Sequence, residues 1–155
     1  DEHLVAEIST PPLDFAWSSN GTLWFSDGNQ SVRSIHAEVA FAPASAPSGI
    51  AFYPNTPDLA FPQFGGGLLV VTSGSWNTTT IDGYELWIVP FVASDRPGTP
   101  IRLIPADTER SSADAALVAL SFFPDHPIAV AISPEGWIYA ATREGRVIRL
   151  RPRRK

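Results

Sequence analysis

The sequence predicts an all-β fold, and three observations lead there. Proline and glycine are frequent, at 15 and 11 of 155 residues, which implies many turns. Aromatic residues reach 11%, and the apolar runs are short and rich in β-branched and aromatic side chains, as strands are. A 24-residue unit also recurs without a gap at an offset of 115. "PLDFAWSSNGTLWFSDGNQSVRSI" begins at Pro12, and "PIAVAISPEGWIYAATREGRVIRL" begins at Pro127.

Each unit reads as strand, turn, strand, turn, strand. "LDFAW" and "IAVAI" are first strands, followed by the turns "SSNG" and "SPEG". "TLWFS" and "WIYAA" are second strands. "SVRSI" and "RVIRL" alternate apolar with polar residues, as half-buried third strands do. A further copy lies between them: "PSGIAFYP" from Pro47, "GGLLVVT" from Gly66 and "YELWIVPF" from Tyr84. Its turns are enlarged to "NTPDLAFPQFG" and "SGSWNTTTIDG", and insertions confined to one repeat are expected on one face, often the binding face.

A fourth strand is expected ahead of each triplet: "HLVAEI", "AEVAFAP", and either "TPIRLIP" or "ALVALSFF". Residues 106–117 are polar and read as a loop or one helical turn. Three units of four antiparallel strands describe β-propeller blades, at about residues 1–36, 37–91 and 100–152 of a single module. Closed propellers usually have about four to eight blades, so three make half of a six-bladed ring. Half a ring leaves open sheet edges and an uncovered face, which implies a partner. The expected partner is another half-propeller, either a second copy or an upstream segment, or else a polymeric assembly.

Charge is unevenly placed. Residues 143–155 carry seven Lys/Arg and one Glu, whereas residues 1–142 carry four Lys/Arg and fifteen Asp/Glu. The basic end "RPRRK" has no interleaved aromatics, so nucleic acid is not an expected partner. The absence of cysteine rules out disulfides and thiolate metal sites. No apolar run approaches the ~18 residues of a spanning helix, and "DEHLVAEI" lacks the pattern of a signal peptide.

The residues with chemistry to offer are few. His3, His36 and His126 are widely spaced and form no metal-binding pattern. His126 precedes Pro127 at the mouth of a strand, where it reads as a strand cap rather than a base. Asp14, Asp27 and Asp82 lie near turns without a calcium-loop spacing, so no metal site is expected from them. Asp82-Gly83 reads as a hairpin turn. "FGGGLL" enters a strand, not a helix, which argues against a phosphate loop. Three of the four asparagines, Asn20, Asn29 and Asn77, begin N-glycosylation sequons, which suggests a secreted, extracellular or periplasmic protein.

"APSGIAFYP", "GGGLLVVTSGSWNTTTIDGYELWIVPF" and "HPIAVAISPEGWIYAATREGRVIRLRP" together resemble the C-terminal half of the glucose/sorbosone dehydrogenase family. "SAPSGIAFYP", and "GSWN" followed by "GY", are the specific parts. The resemblance implies a six-bladed propeller that, in many members, uses pyrroloquinoline quinone (PQQ) and Ca²⁺ to oxidise sugars. It makes Gly74, Ser75, Trp76, Asn77 and Tyr84 ligand-binding candidates, with Trp76 suited to stacking on a sugar ring or flat cofactor and Asn77 to bonding a hydroxyl. The family pattern places His before "GSWN" and Arg after it. Ser73 and Thr78 stand there, and Thr142-Arg143-Glu144 replaces the acidic turn of the last blade. The family's general-base His lies in the half this sequence does not span, so the catalytic residues are unknown.

Two functions are expected from this. One is an extracellular, non-catalytic module for binding, carbohydrate included, or assembly. The alternative is the C-terminal half of a PQQ/Ca²⁺-dependent aldose or sorbosone oxidoreductase whose catalytic residues lie on another segment or chain.

Overall fold

A computed structural model describes residues 11–42, 45–74, 83–93, 96–104, 122 and 125–151. The first sheet runs β1 (Asp14–Trp17), β2 (Leu23–Ser26), β3 (Ser31–Arg33), β4 (Glu38–Ala40), each strand antiparallel to the next. In the second, β5 (Pro47–Phe52), β6 (Leu68–Thr72) and β7 (Glu85–Val89) are followed outermost by β10 (Ile101–Ile104). A small hairpin, β8 (Phe91–Ala93) and β9 (Arg96–Pro97), lies in the chain between β7 and β10. The third sheet has β11 (Pro127–Ile132), β12 (Ile138–Thr142) and β13 (Val147–Arg149).

The pairing reproduces the sequence repeat residue for residue. Phe15 faces Phe25 and Trp17 faces Leu23 in the first sheet; Val130 faces Ala140 and Ile132 faces Ile138 in the third. Each pair is offset by 115 from its counterpart. These are consecutive β-propeller blades, with β1, β5 and β11 side by side as the innermost strands.

Two expectations are reversed. The fourth strand follows its triplet rather than preceding it. Glu38–Ala40 pairs with β3, and Ile101–Ile104 pairs with β7. β4 is joined to β3 by a short turn and pairs back onto it, because closing a short loop costs less entropy than a long crossover, whereas β10 reaches β7 beyond the β8–β9 hairpin. "HLVAEI" and residues 106–117 lie outside the described residues, as does "ALVALSFF" apart from Phe122. The two enlarged turns of the middle blade also do not share a face. Successive turns of an antiparallel sheet alternate ends, so residues 53–67 lie at one end of the blade, and Ser73, Gly74, Gly83 and Tyr84, the described ends of the other turn, lie at the opposite end.

Two apolar clusters join the blades. Trp24, Val32 and Val39 of the first pack with Ile50, Leu68, Val70 and Val89 of the second. On its other face the second blade offers Leu69, Val71, Leu86 and Ile88 to Val130, Ile138 and Ala140 of the third. The 53–67 turn straps the last two blades together. Tyr53 Oη donates to Gly136 O at 2.8 Å and accepts the Phe61 N–H at 2.9 Å. Phe61 and Phe64 stack beside it, with Trp137 edge-on to Phe61. No helix among the described residues is long and apolar enough to cross a membrane.

Candidate functional site

The inner strands all begin at one end of the blades. The turns after each second strand converge there, as do the connections entering β5 and β11. Every blade closes that turn with an oxygen at the same place. In the first blade Asp27 Oδ1 accepts the N–H groups of Asn29, Gln30 and Ser31 at 3.0, 3.2 and 3.0 Å, and Oδ2 accepts the Ser31 hydroxyl at 2.7 Å. Thr72 Oγ1 accepts the Glu85 N–H at 3.3 Å, and Thr142 Oγ1 accepts that of Arg146 at 3.2 Å. Burial pushes the Asp27 carboxyl up, but the bonds from Ser31, Asn29 and Gln30 outweigh it and hold the group below its ordinary value. Asp14, the other described carboxylate candidate, accepts the Ile50 N–H at 2.9 Å and ties the first blade to the second. These oxygens secure backbone.

The middle blade's turn leaves the sheet through a narrow neck. Gly74 and Gly83 have φ of +90° and +85°, and a Cβ on Gly83 would lie 2.4 Å from Gly74 Cα. A Cβ on Gly74 would meet the Tyr84 ring at 2.4 Å, so only glycine fits beneath it. Tyr84 itself has φ +59°, a left-handed conformation that costs a non-glycine residue about 1–3 kcal/mol. The neck is pinned to the connection entering β5: Gly74 N–H donates to Ser45 O at 3.0 Å and Ser73 N–H to Ala46 O at 2.9 Å.

Tyr84 is held there by a chain of side chains that crosses between blades. Its hydroxyl lies 3.3 Å from His126 Nε2, and His126 Nδ1 lies 2.7 Å from Glu144 Oε1. The His126 backbone N–H donates to Glu144 Oε2 at 2.7 Å, and its carbonyl accepts the Arg143 N–H at 2.9 Å. His126 therefore caps the start of β11, as expected, and also links the third blade to the neck of the second. Arg146 Nη1 lies 3.0 Å from Asp125 Oδ2, close enough for an ion pair but not aligned as a hydrogen bond. Burial, with the Glu144 charge adding to it, raises the Tyr84 phenol above its ordinary value.

The hydrogen bond from the His126 side chain pulls the Glu144 carboxyl down to about 2. The unfolded carboxyl titrates near 4.5, so the stabilisation is complete above that pH and is lost as pH falls through about 2. Glu144→Gln is expected to flatten the loss of stability between those two values, read from denaturant midpoints against pH. An unchanged acid limb would mean that Glu144 does not hold His126.

Of the sequence candidates, Gly74 and Tyr84 are brought together at the neck. Ser75, Trp76, Asn77, Thr78 and Asp82 lie outside the described residues, so the sequon at Asn77 and the Asp82-Gly83 turn are not placed. Asn20 and Asn29 are both exposed, at opposite ends of the first blade; Asn20 shares a hydrogen bond with Ser18 in its turn. His36 is exposed on the turn after β3, and His3 lies outside the described residues.

PQQ carries several carboxylates and wants cationic donors, while Ca²⁺ wants clustered oxygens. The described part of this end does not by itself fit that pair. Arg33 bridges Asp27 and Glu38, Arg146 meets Asp125, and both oxygens of Glu144 serve His126. No cluster of three metal-binding side chains occurs among the described residues.

The sequence singled out His126 and Glu144 separately and missed their convergence with Tyr84. The available signal was topological: in a propeller blade, the turn after the second strand and the connection into the first strand share one end.

The folded chain is a set of propeller blades of the kind found in sugar dehydrogenases. It superimposes on the PQQ-bound form of aldose sugar dehydrogenase from Streptomyces coelicolor with a TM-score of 0.57 at 14% identity, over 97% of this chain and 47% of that one. A putative oxidoreductase (glucose dehydrogenase) from Thermus thermophilus gives a TM-score of 0.50 at 15% identity, over 92% of this chain and 44% of that one. The chain thus spans about half the length of these structures. The resemblance read from the sequence stands at the level of fold. A family model described as "Strictosidine synthase-like, N-terminal" matches residues 113–150, a span that includes the three strands of the third sheet. No curated protein matches the sequence.

Proposed function

We propose that this chain is a propeller module that binds without catalysing, presenting the loop that leaves through Gly74 and returns through Tyr84 to a hydroxyl-rich ligand such as a carbohydrate. The Tyr84–His126–Glu144 chain carries this reading. The described group best suited to acid–base work is clamped on three sides and ties two blades together. The exposed sequon asparagines Asn20 and Asn29 support a secreted setting.

A second reading has one observation in its favour, the likeness in fold to a PQQ-bound aldose sugar dehydrogenase. On that reading the chain is the C-terminal half of a PQQ/Ca²⁺-dependent sugar oxidoreductase, with its catalytic residues on another segment or chain.

Thermal melts separate the two. A ligand specific for the native state at a hundredfold its Kd adds about 2.7 kcal/mol. That is roughly 5–10 °C for a chain of this size. A rise with oligosaccharides, and none with PQQ plus Ca²⁺, is the expected result. A rise with PQQ plus Ca²⁺ together with sugar-dependent dye reduction overturns the binding reading in favour of the second.

A further inference from the structure

The turn between β1 and β2 holds the dipeptide Asn20-Gly21, whereas the other asparagines are followed by Gln30, Thr56 and Thr78. A glycine leaves its own backbone nitrogen open to the side chain before it, because no Cβ stands in the way. The structure adds three features to that pairing. Asn20 and Gly21 are both exposed. Gly21 has φ +83°, and nothing lies within 4 Å of the place its Cβ would take, so its peptide can turn without collision. The side-chain carbonyl of Asn20 is already polarised: Oδ1 accepts the Ser18 hydroxyl and, at 3.4 Å, the Thr22 N–H.

The two other described asparagines are placed differently. The nitrogen that follows Asn29 is held by a carboxylate, since the Gln30 N–H donates to Asp27 Oδ1 at 3.2 Å. The nitrogen that follows Asn55 belongs to the β-branched Thr56, whose Cβ and methyl crowd an approach to the Asn55 side chain.

We propose that Asn20-Gly21 is a site of spontaneous covalent modification, at which the folded turn converts Asn20 to aspartate and isoaspartate. The Gly21 nitrogen gives its proton to hydroxide and attacks Asn20 Cγ. The N–Cγ bond forms, the Cγ–Nδ2 bond breaks, and the amide nitrogen takes a proton from water and leaves as ammonia. A cyclic imide then joins the two residues. The Ser18 hydroxyl and the Thr22 N–H stand where negative charge develops on Oδ1, the placement that stabilises an oxyanion. Water opens the imide at either carbonyl. Breaking the bond from nitrogen to Cγ gives aspartate; breaking the bond to the backbone carbonyl gives isoaspartate, with the main chain rerouted through the side chain. The sum is amide plus water to acid plus ammonia, with no oxidation or reduction. The Gly21 N–H donates to Ser18 O at 3.0 Å, and that bond must open first.

The product places a negative charge, and in isoaspartate a longer backbone, beyond Trp17 and Leu23, the last pair of the β1–β2 ladder. This turn lies at the end of the first blade opposite the Asp27 turn, so the modification is independent of the ligand proposed above.

The test is a timed incubation of the chain at mildly alkaline pH, read by peptide mapping with mass spectrometry and by an isoaspartate-specific methyltransferase. Non-glycosylated protein is used, because a glycan on Asn20 would occupy the same amide. The Asn20 peptide is expected to exchange amide for acid, faster as pH rises, while Asn29 and Asn55 keep their amides. Ser18→Ala removes one donor to Oδ1 and is expected to slow the conversion severalfold. Ser18→Thr keeps the hydroxyl and is expected to match the unaltered chain, which separates the donor's effect from a disturbed turn. Three results overturn the proposal: an intact Asn20 amide at a time when the chain unfolded in urea has converted, equal conversion at Asn29, or Ser18→Ala converting as fast as the unaltered chain.

Discussion

Gly49→Val is expected to lower the melting temperature by about 5–10 °C or to prevent folding. A Cβ at Gly49 would stand 2.6 Å from Ala129 Cα and 2.9 Å from Ile128 O, on the neighbouring inner strand. Both obstacles are backbone and cannot rotate away. Beside it, Ser48 Oγ donates to Pro127 O at 2.8 Å, which fixes the separation of β5 and β11. Overfilling a packed interior costs about 1–3 kcal/mol, and more where backbone must move. Each kcal/mol is worth roughly 2–4 °C in a chain of this size. Thermal melts of Gly49→Val beside Ala40→Val, on the exposed edge strand β4, measure it. Equal melting temperatures would show that the second and third blades do not meet at this point.

Trp24→Ala is expected to cost about 3–5 kcal/mol, the range for deleting a large buried aromatic. Trp24 is fully buried between the first two blades and lies edge-on to Phe91 at 5.2 Å between ring centroids. Its Nε1 is buried without a hydrogen-bond partner, so Trp24→Phe removes an unsatisfied donor along with some volume and should cost less. The repeat supplies an internal contrast. Tyr139 is the counterpart of Trp24 but is only half-buried, where Trp24 is fully buried. Tyr139→Ala should therefore change the stability of the chain far less than Trp24→Ala. Equal losses in urea titrations would mean that the two side chains are buried alike, against the observed packing.

The blades are legible in the sequence because their signal is local. Alternation and turn residues are properties of neighbouring positions, the repeat at an offset of 115 shows the same local pattern twice, and the observed pairing keeps that register. The placement of the fourth strands is not legible, because "AEVAFAP" carries no mark of which triplet it joins. That choice belongs to the turn at Ser34–Ala37, where Ser34 Oγ accepts the N–H groups of His36 and Ala37 and folds the chain back onto β3. The glycine in "PSGIAFYP" stands in the sequence only as part of a family resemblance. Its physical reason, contact with a backbone 79 and 80 residues away in sequence, needs the packed blades.

The candidate site divides the same way. From the sequence alone come the loop from Gly74 to Tyr84, the histidine before Pro127 and the acidic residue at 144. Local pattern suffices for the loop and the histidine, because polar residues between apolar strands mark turns, while Glu144 is singled out only by comparison with the family that the sequence resembles. Their union into one hydrogen-bonded chain was decided by tertiary structure, since it depends on two blades standing side by side with their turns at one end. The strain at Tyr84 arises in the same way. A backbone angle of +59° is not written in the residue type; it is imposed by the glycine neck beneath the ring and held by His126 and Glu144 from the next blade.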